Sequence, residues 1–221
     1  MASFFITIPR IREVSLSTIQ RIGIVTVTTG TNRSQYEYSL ETVQCYSAHY
    51  GYPYFLLDDK EPANRAACPM KDDYFTRHCV VARLLDRTAD LDWLLVLDAD
   101  IAVVNPTKRL EDFLPTDDDI HLVFYDRMMK SAIQDLNVIL EFALPSLVEE
   151  RRRCEVLWAA ARDLQGLFTY EICVREILKQ HRYRGVEIRN KTHPRRWCRD
   201  GYFSLFAFTH DDFMLHGWKQ L

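Results

Sequence analysis

The segment Trp93–Asp100, WLLVLDAD, decides how the chain is expected to fold. Its five apolar residues predict a strand that is buried on both faces, and two aspartates follow at its end. Residues two apart in extended backbone point the same way, so the side chains of Asp98 and Asp100 should converge there. Two converging carboxylates repel each other, which favours a bound cation between them. The alternative is a pair that caps nearby backbone amides.

Strands and helices alternate on both sides of this segment. Ile22–Thr28 and Pro53–Leu57 predict earlier strands, and His121–Tyr125 predicts a later one. A capping box at Ser34–Glu37 predicts the start of a helix that ends at Gly51. Strands that are apolar on both faces and alternate with helices form a mainly parallel sheet. Such a sheet binds ligands at the carboxyl ends of its strands. The predicted fold class is therefore α/β, with helices on both faces of the sheet.

The length of 221 residues suits one domain. We expect an N-terminal extension over residues 1–20 and a single domain over residues 21–221. Its sheet half should span residues 21–126, and a more helical, shortened half residues 127–221. No apolar run approaches the roughly 18 residues of a membrane span, so the sequence predicts none. The apolar stretch Ala2–Pro9 lacks the preceding basic residues of a signal peptide.

The composition excludes several modes of binding. The 7 glycines are too widely spaced to form either of the common glycine-rich phosphate loops, so a bound nucleotide would need its phosphates held by other groups. The net charge of -3 argues against a nucleic-acid partner. The 6 cysteines contain no C-x-x-C pair, which argues against zinc. Cys45 and Cys79 occupy apolar positions of helical patterns and are expected in the core.

The pattern D-x-D occurs at residues 90–92, 98–100 and 117–119, and only the second pair ends an apolar strand. Two enzyme classes place such a pair at a strand end. Phosphatases of the haloacid-dehalogenase type need Thr or Val where this chain has Ala102, and their strand lies near the start of the domain. Nucleotide-sugar glycosyltransferases of the GT-A architecture place a strand–helix half before the pair. The position of Asp98 fits the second class.

A second candidate group lies in Met214–Lys219, MLHGWK. A lone histidine is more often a core or surface residue than a metal ligand. The prediction that His216 is a ligand therefore depends on the aspartate pair. Beside Asp98 and Asp100, the imidazole of His216 would favour manganese over magnesium or calcium. Lys219, three residues later, would neutralise a diphosphate.

Several blocks of the chain resemble a nematode-expanded family of glycosyltransferase-like proteins, which is similar to Golgi α-galactosyl- and mannosyltransferases. The resemblance extends over about residues 20–221. It implies a GT-A fold, a nucleoside-diphosphate sugar as donor, a glycan or other hydroxyl acceptor, Mn²⁺ or another divalent cation, and a Golgi location. The matching blocks are residues 74–82, 93–106, 124–127, 168–171, 197–201 and 212–219.

The resemblance also implies roles for individual residues. Asp98, Asp100 and His216 would be the metal ligands, and Trp197 and Asp200 would lie on the acceptor side. Aromatic packing for Trp197 and a turn carboxylate for Asp200 fit the sequence at least as well. The implied donor contacts are Thr28, Thr29, Gly30, Asp58, Arg77, Gly217 and Lys219. For Asp58 a turn cap, and for Arg77 a surface ion pair, are equally compatible with the sequence.

The chain departs from the family in its middle. Only 18 residues, 127–144, separate Asp126 from Pro145, where the family carries further strands and an Asp-Asn element. Gln134–Asn137 is a candidate remnant of that element. The expected function is a metal-dependent glycosyltransferase that retains anomeric configuration, with no nucleophile or base assigned. The alternative is a donor-binding module without turnover.

Overall fold

The computed structural model describes residues 3–7, 21–69, 73–88, 90–125, 146–180, 185–189, 193–201 and 204–219. The candidate remnant Gln134–Asn137 lies outside the described residues. The strands are β1 (Phe4–Thr7), β2 (Ile22–Thr28), β3 (Tyr54–Asp58), β4 (Trp93–Leu97), β5 (Ile101–Val103), β6 (Leu122–Tyr125), β7 (Val186–Arg189), β8 (Cys198–Asp200) and β9 (Met214–His216). The α-helices are α1 (Glu37–Tyr50), α2 (Pro62–Ala67), α3 (Asp73–Leu85), α4 (Val148–Ala160) and α5 (Leu164–Gln180).

Six strands form the central sheet in the order β3-β2-β4-β1-β6-β7. β2 pairs in parallel with β3 and with β4, and β6 pairs in parallel with β7. The first three strands of the sheet therefore present their carboxyl ends along one edge. The α/β fold with a mainly parallel sheet and flanking helices is confirmed.

Both faces of the central sheet are covered because its middle strands are apolar at successive positions. Every residue of β4 is buried. On one face Val96 belongs to a core cluster with Val174 of α5. On the other face Leu95 belongs to a cluster with Val43 of α1. This burial on both sides fixes β4 firmly, and the aspartate pair follows directly on it.

β1 lies inside the central sheet, so residues 4–7 of the expected N-terminal extension belong to the domain itself. Phe4–Thr7 pairs antiparallel with both β4 and β6. Phe5 is fully buried, and its ring meets the ring of Trp197 edge-on with 4.9 Å between centroids. A strand of four residues has too little periodicity to be recognised in a sequence. Its pairing with two long-range neighbours determines its structure instead.

A smaller sheet with the order β5-β9-β8 connects the two candidate regions of the sequence. β4 ends at Leu97, the turn Asp98–Asp100 follows, and β5 starts at Ile101. β5 pairs antiparallel with β9, so that Ile101 lies opposite His216. This pairing places His216 beside a turn that is far away in the sequence.

α1 starts later than the capping box predicts. Residues Gly30–Tyr36 form a 3₁₀-helix, and α1 begins only at Glu37. The tighter turns after β2 use the residues that would otherwise begin the helix. At the other end Gly51 adopts a left-handed φ of 74° and ends the helix, as predicted.

The longest α-helix, α5, has 17 residues, and no helix among the described residues is long and apolar enough to span a membrane.

Two disulfides join Cys68 to Cys79 and Cys154 to Cys173. Cys79 is thus a disulfide partner, and Cys45 is exposed, so the expectation that both are plain core residues is wrong. Helical periodicity indicates only that a position faces inward and carries no information about pairing. Cys68–Cys79 ties the end of α2 to the middle of α3.

Candidate metal centre

Three side chains meet at the carboxyl end of β4. His216 Nε2 lies 3.2 Å from Asp100 Oδ1 and 3.6 Å from Asp98 Oδ2. One ligand atom from each residue lies within 4.8 Å of the other two, and all three residues are buried. The structure therefore brings together the three residues that the sequence predicted as metal ligands.

The chemistry of this group fits a divalent cation. Ligands at about 2.1 Å in adjacent positions of an octahedral site lie about 3 Å apart, which is close to the two distances at His216. Two carboxylates and one imidazole form a mixed oxygen and nitrogen set that suits transition metals such as manganese. Burial deprives both carboxylates of hydrating water, so positive charge between them is strongly favoured.

The backbone of the aspartate turn is fixed from two sides. The Ala99 carbonyl accepts a hydrogen bond from Ser39 Oγ of α1 at 2.6 Å. The Asp100 carbonyl accepts from the N–H groups of Gly217 and Trp218 at 2.9 and 2.8 Å. Gly217 has a left-handed φ of 96°, a conformation that favours glycine. This glycine lets the chain after β9 fold back against the turn.

Two cationic side chains contact the aspartate pair. Arg77 of α3 places Nη1 3.7 Å from Asp98 Oδ1, and its side chain is only 20% exposed. Lys219 places Nζ 3.5 Å from Asp100 Oδ2 with a side chain 39% exposed. Arg77 therefore lies inside the site rather than on the open surface. Both cations lie within 4 Å of a carboxylate of the pair, so the site combines two negative and two positive side chains.

Asp59 is a site residue that the sequence analysis missed. Its side chain is fully buried at the end of β3. Asp59 Oδ2 accepts a hydrogen bond from Thr29 Oγ1 at 3.1 Å and lies 3.7 Å from Arg77 Nε. Arg77 Nε also donates to Thr29 Oγ1 at 3.0 Å. This network joins the carboxyl ends of β2 and β3 to the aspartate turn through one guanidinium.

Asp58, the neighbour that the sequence favoured, faces the loop after β2. Its Oδ1 accepts hydrogen bonds from the N–H groups of Gly30 and Lys60 at 3.1 and 2.8 Å. Thr28 is buried, and its hydroxyl donates to the Leu57 carbonyl at 3.1 Å. In this structure Asp58 caps a turn, and Asp59 provides the carboxylate that faces Thr29 and Arg77.

Asp200 lies on the other side of the His216 ring from the aspartate pair. Its Oδ2 is 3.9 Å from His216 Nδ1, and its side chain is 10% exposed. Metal-binding histidines commonly face a carboxylate at their second nitrogen, which orients the ring.

Trp197 is fully buried, and its Nε1 donates to Ser3 Oγ at 2.9 Å. A direct contact between Trp197 and an acceptor would require neighbouring side chains to move.

Asp212 holds the segment that leads into β9 through hydrogen bonds to its carboxylate. Burial tends to raise the pKa of its carboxyl group, but hydrogen bonds from Arg199, Thr209 and Arg196 outweigh this effect and hold the pKa well below its usual range. The shortest contact with an arginine, from Arg199 Nε, is 2.7 Å. The carboxylate therefore stays ionised and links this segment to β8.

Comparison with known proteins adds a family and a fold. A family model described as "protein of unknown function, DUF273" matches residues 43–142 and 135–221. No curated protein sequence matches the chain. A solved structure, of a glycosyltransferase involved in the glycosylation of the major capsid of PBCV-1, resembles it with a TM-score of 0.52. The match covers 89% of this chain and 92% of that chain at 14% identity, and a likeness at this identity is one of fold.

Proposed function

The chain belongs to the DUF273 family, and we propose that it is a metal-dependent glycosyltransferase, which moves a sugar from a nucleoside diphosphate to a hydroxyl group of a glycan. The observation that carries the proposal is the buried group of Asp98, Asp100 and His216 at the carboxyl end of β4. Ligands of open α/β sheets bind at this edge. The fold of the PBCV-1 capsid glycosyltransferase supports the same reaction class.

The proposed reaction needs positive charge where the diphosphate leaves. A divalent ion, with Mn²⁺ as the proposed one, would supply that charge when held by Asp98, Asp100 and His216. Lys219 would bind the diphosphate oxygens with its ammonium group, and Arg77 would bind them with its guanidinium. Gly217 would let the diphosphate approach the backbone closely because it carries no side chain.

The nucleoside would bind along the ends of β2 and β3. Thr29 and Gly30 follow β2, and Asp58 ends β3. Thr28 is buried beneath them, so its proposed contribution is to the shape of the strand end. We place Asp59 in the same subsite because it is bonded to Thr29.

Retention of the anomeric configuration is proposed from the family resemblance. No residue is assigned here as nucleophile or base. The test is NMR of the glycoside product, because its one-bond C1–H1 coupling distinguishes the two configurations and a glycoside does not mutarotate. A first-formed product of inverted configuration would contradict retention.

The decisive assay for the reaction class is metal-dependent cleavage of nucleotide sugars. We expect the protein with Mn²⁺ to release nucleoside diphosphate from at least one of UDP-glucose, UDP-galactose, GDP-mannose and UDP-N-acetylglucosamine. Asp98→Asn should reduce the rate at least 100-fold because it removes a charged metal ligand. The double variant D117N/D119N is the matched control, since its D-x-D pair lies in an exposed turn. Equal rates in the D98N variant and this control would overturn the proposal.

A donor-binding module without turnover is the second candidate. The feature that favours it is the short middle of the sequence, where 18 residues, 127–144, stand in place of the further strands and Asp-Asn element that the resemblance implies. It predicts Mn²⁺-dependent binding of UDP or GDP in a calorimeter and no release of diphosphate from any of the four donors. Binding accompanied by cleavage would exclude it.

We also propose that the protein works in the Golgi. The resemblance to Golgi transferases motivates this, and the two disulfides support it because disulfides form in oxidising compartments. Fluorescence microscopy of the tagged protein beside a Golgi marker tests it. A cytosolic signal together with alkylatable Cys68 and Cys79 would contradict it.

A further inference from the structure

Four exposed apolar residues lie on the segment after β8 and shortly after β9. They are Leu205, Phe206, Phe208 and Trp218, which are 89%, 48%, 47% and 37% exposed; we call them the aromatic patch. The rings of Phe208 and Trp218 face each other with 6.3 Å between centroids. Single exposed apolar residues are ordinary, but exposed aromatic rings that face each other are typical of a binding surface.

Backbone hydrogen bonds tie the aromatic patch to the metal ligands. The N–H of Trp218 donates to the carbonyl of Asp100 at 2.8 Å. On the other side, the N–H of Phe206 donates to the carbonyl of Gly201 at 2.7 Å, and Gly201 N–H donates to the carbonyl of His216 at 2.8 Å. A molecule on the patch would therefore lie beside the aspartate turn and β9.

The local backbone holds these side chains in an exposed position. Leu205 and Phe206 have left-handed φ angles of 49° and 60°, which are unfavourable for residues with a side chain. A Cβ atom on Gly201 would lie 2.7 Å from the ring of Phe206. The glycine thus leaves room for the ring directly beside β9. Such strain is commonly found where a loop is shaped for a ligand.

The chemistry of the patch selects a neutral, ring-shaped ligand. Residues 204–208, SLFAF, carry no charge. The flanking side chains of His210 and Asp211 are 95% and 90% exposed, and the carboxylate of Asp211 disfavours an anionic lipid surface. The C–H face of a pyranose packs on aromatic rings while its hydroxyls stay in water. We propose that the aromatic patch binds a sugar ring of the acceptor, a proposal that rests on the proposed function.

Saturation-transfer NMR tests this directly, with the methyl glycosides of glucose, galactose, mannose and N-acetylglucosamine as probes. Irradiation of aromatic protons should transfer saturation to the C–H protons on one face of at least one probe. The double variant F206A/W218A should lose at least four-fifths of that transfer, roughly the loss of 1 kcal/mol or more of binding. Ile172→Ala, at an exposed apolar residue of α5, is the control and should retain it.

Three outcomes would overturn the assignment: no transfer to any probe, equal transfer in the double variant, or patch-dependent co-sedimentation with phosphatidylcholine vesicles in place of sugar binding. Calorimetry of UDP and GDP with Mn²⁺ on the same samples separates this failure from failure of the proposed function. Nucleotide binding in the wild-type protein without saturation transfer to any probe would refute the acceptor site alone. Absence of nucleotide binding in the wild-type protein would refute the proposed function.

Discussion

His216 has carboxylates on both sides of its ring. Nε2 faces Asp98 and Asp100, and Nδ1 faces Asp200 at 3.9 Å. With a cation bound at Nε2, the one ring proton of a neutral imidazole would lie on Nδ1, where the carboxylate of Asp200 faces it. Nε2 then keeps its lone pair directed at the aspartate pair. We propose that Asp200 positions the ring of His216; the acceptor-side role implied by the resemblance stays a prediction.

Asp200→Asn is therefore expected to weaken Mn²⁺ binding by about 10- to 100-fold, the usual effect of losing the carboxylate behind a metal-binding histidine. Nitrogen-15 NMR of His216 in the Mg²⁺-bound protein should show a shift away from the Nδ1-protonated tautomer. Asp211→Asn, at an exposed aspartate next to Asp212, is the control. Unchanged affinity and an unchanged tautomer in D200N would show that Asp200 only fills space.

We expect Arg77 to affect the binding of metal and of nucleotide in opposite directions. It contacts Asp98, so Arg77→Met should leave Mn²⁺ affinity unchanged or raise it, because a competing cation is removed. The same change should weaken UDP or GDP binding by about 10- to 100-fold, since it removes charge-assisted hydrogen bonds to the diphosphate. Calorimetry of both ligands checks this, with Arg83→Met of α3 as control. A parallel loss of both affinities would indicate misfolding of α3 instead.

The residues that the sequence revealed and those it missed differ in kind. Asp98 and Asp100 follow a strand whose apolar run is visible in the sequence. His216 could be proposed because its motif also carries a glycine and a lysine. Asp59 was missed because Asp58 and Asp59 are adjacent, and only the path of the loop after β3 decides which one faces Arg77. The contact of Asp200 with His216 depends on the pairing of β8 with β9.

At the scale of elements, β1 supports the sheet between β4 and β6. Phe5→Ala should lower the free energy of unfolding by about 3–5 kcal/mol, because it removes a fully buried ring packed against Trp197. Urea unfolding followed by fluorescence measures this. Phe208→Ala, at a half-exposed ring, should change the unfolding free energy by less than about 1 kcal/mol. If both substitutions changed the free energy of unfolding by similarly small amounts, the placement of β1 inside the central sheet would be contradicted.

The disulfide between Cys68 and Cys79 constrains α3, which carries Arg77 two residues before Cys79. The double variant C68S/C79S should lower the free energy of unfolding by about 3 kcal/mol, as expected for closing a loop with a sequence separation of 11. It should also weaken nucleotide binding. Cys45→Ser changes an exposed free cysteine and is the control. Equal stability of the two variants would contradict a structural role for the disulfide.

Elements with strong local patterns could be predicted, and those that depend on distant partners could not. β2 and β4 are long enough and apolar enough to be recognised alone. β1 and β9 have four and three residues, and each is determined by the strand it pairs with. The start of α1 was predicted too early because a 3₁₀-helix precedes it. Disulfide pairing likewise depends on how α2 and α3 pack.

At the scale of the whole molecule, both sheets contribute residues to the candidate metal centre. Asp98 and Asp100 follow β4 of the central sheet, and His216 lies on β9 of the smaller sheet. The ends of β2 and β3 add Thr29 and Asp59, and Arg77 connects Asp59 to Asp98. The α/β class was predictable because it follows from alternating patterns along the chain. The way the second sheet closes the site was not, since it depends on long-range pairing.

The measurement that tests this account most directly is calorimetric titration of Mn²⁺ into the metal-free protein. We expect one ion to bind per chain, with affinity reduced at least 100-fold in D98N, D100N and H216N and unchanged in D117N/D119N. This result would show that the buried group formed by β4, β5 and β9 is a metal centre. Absence of binding, or equal binding in the ligand variants and the control, would contradict the account.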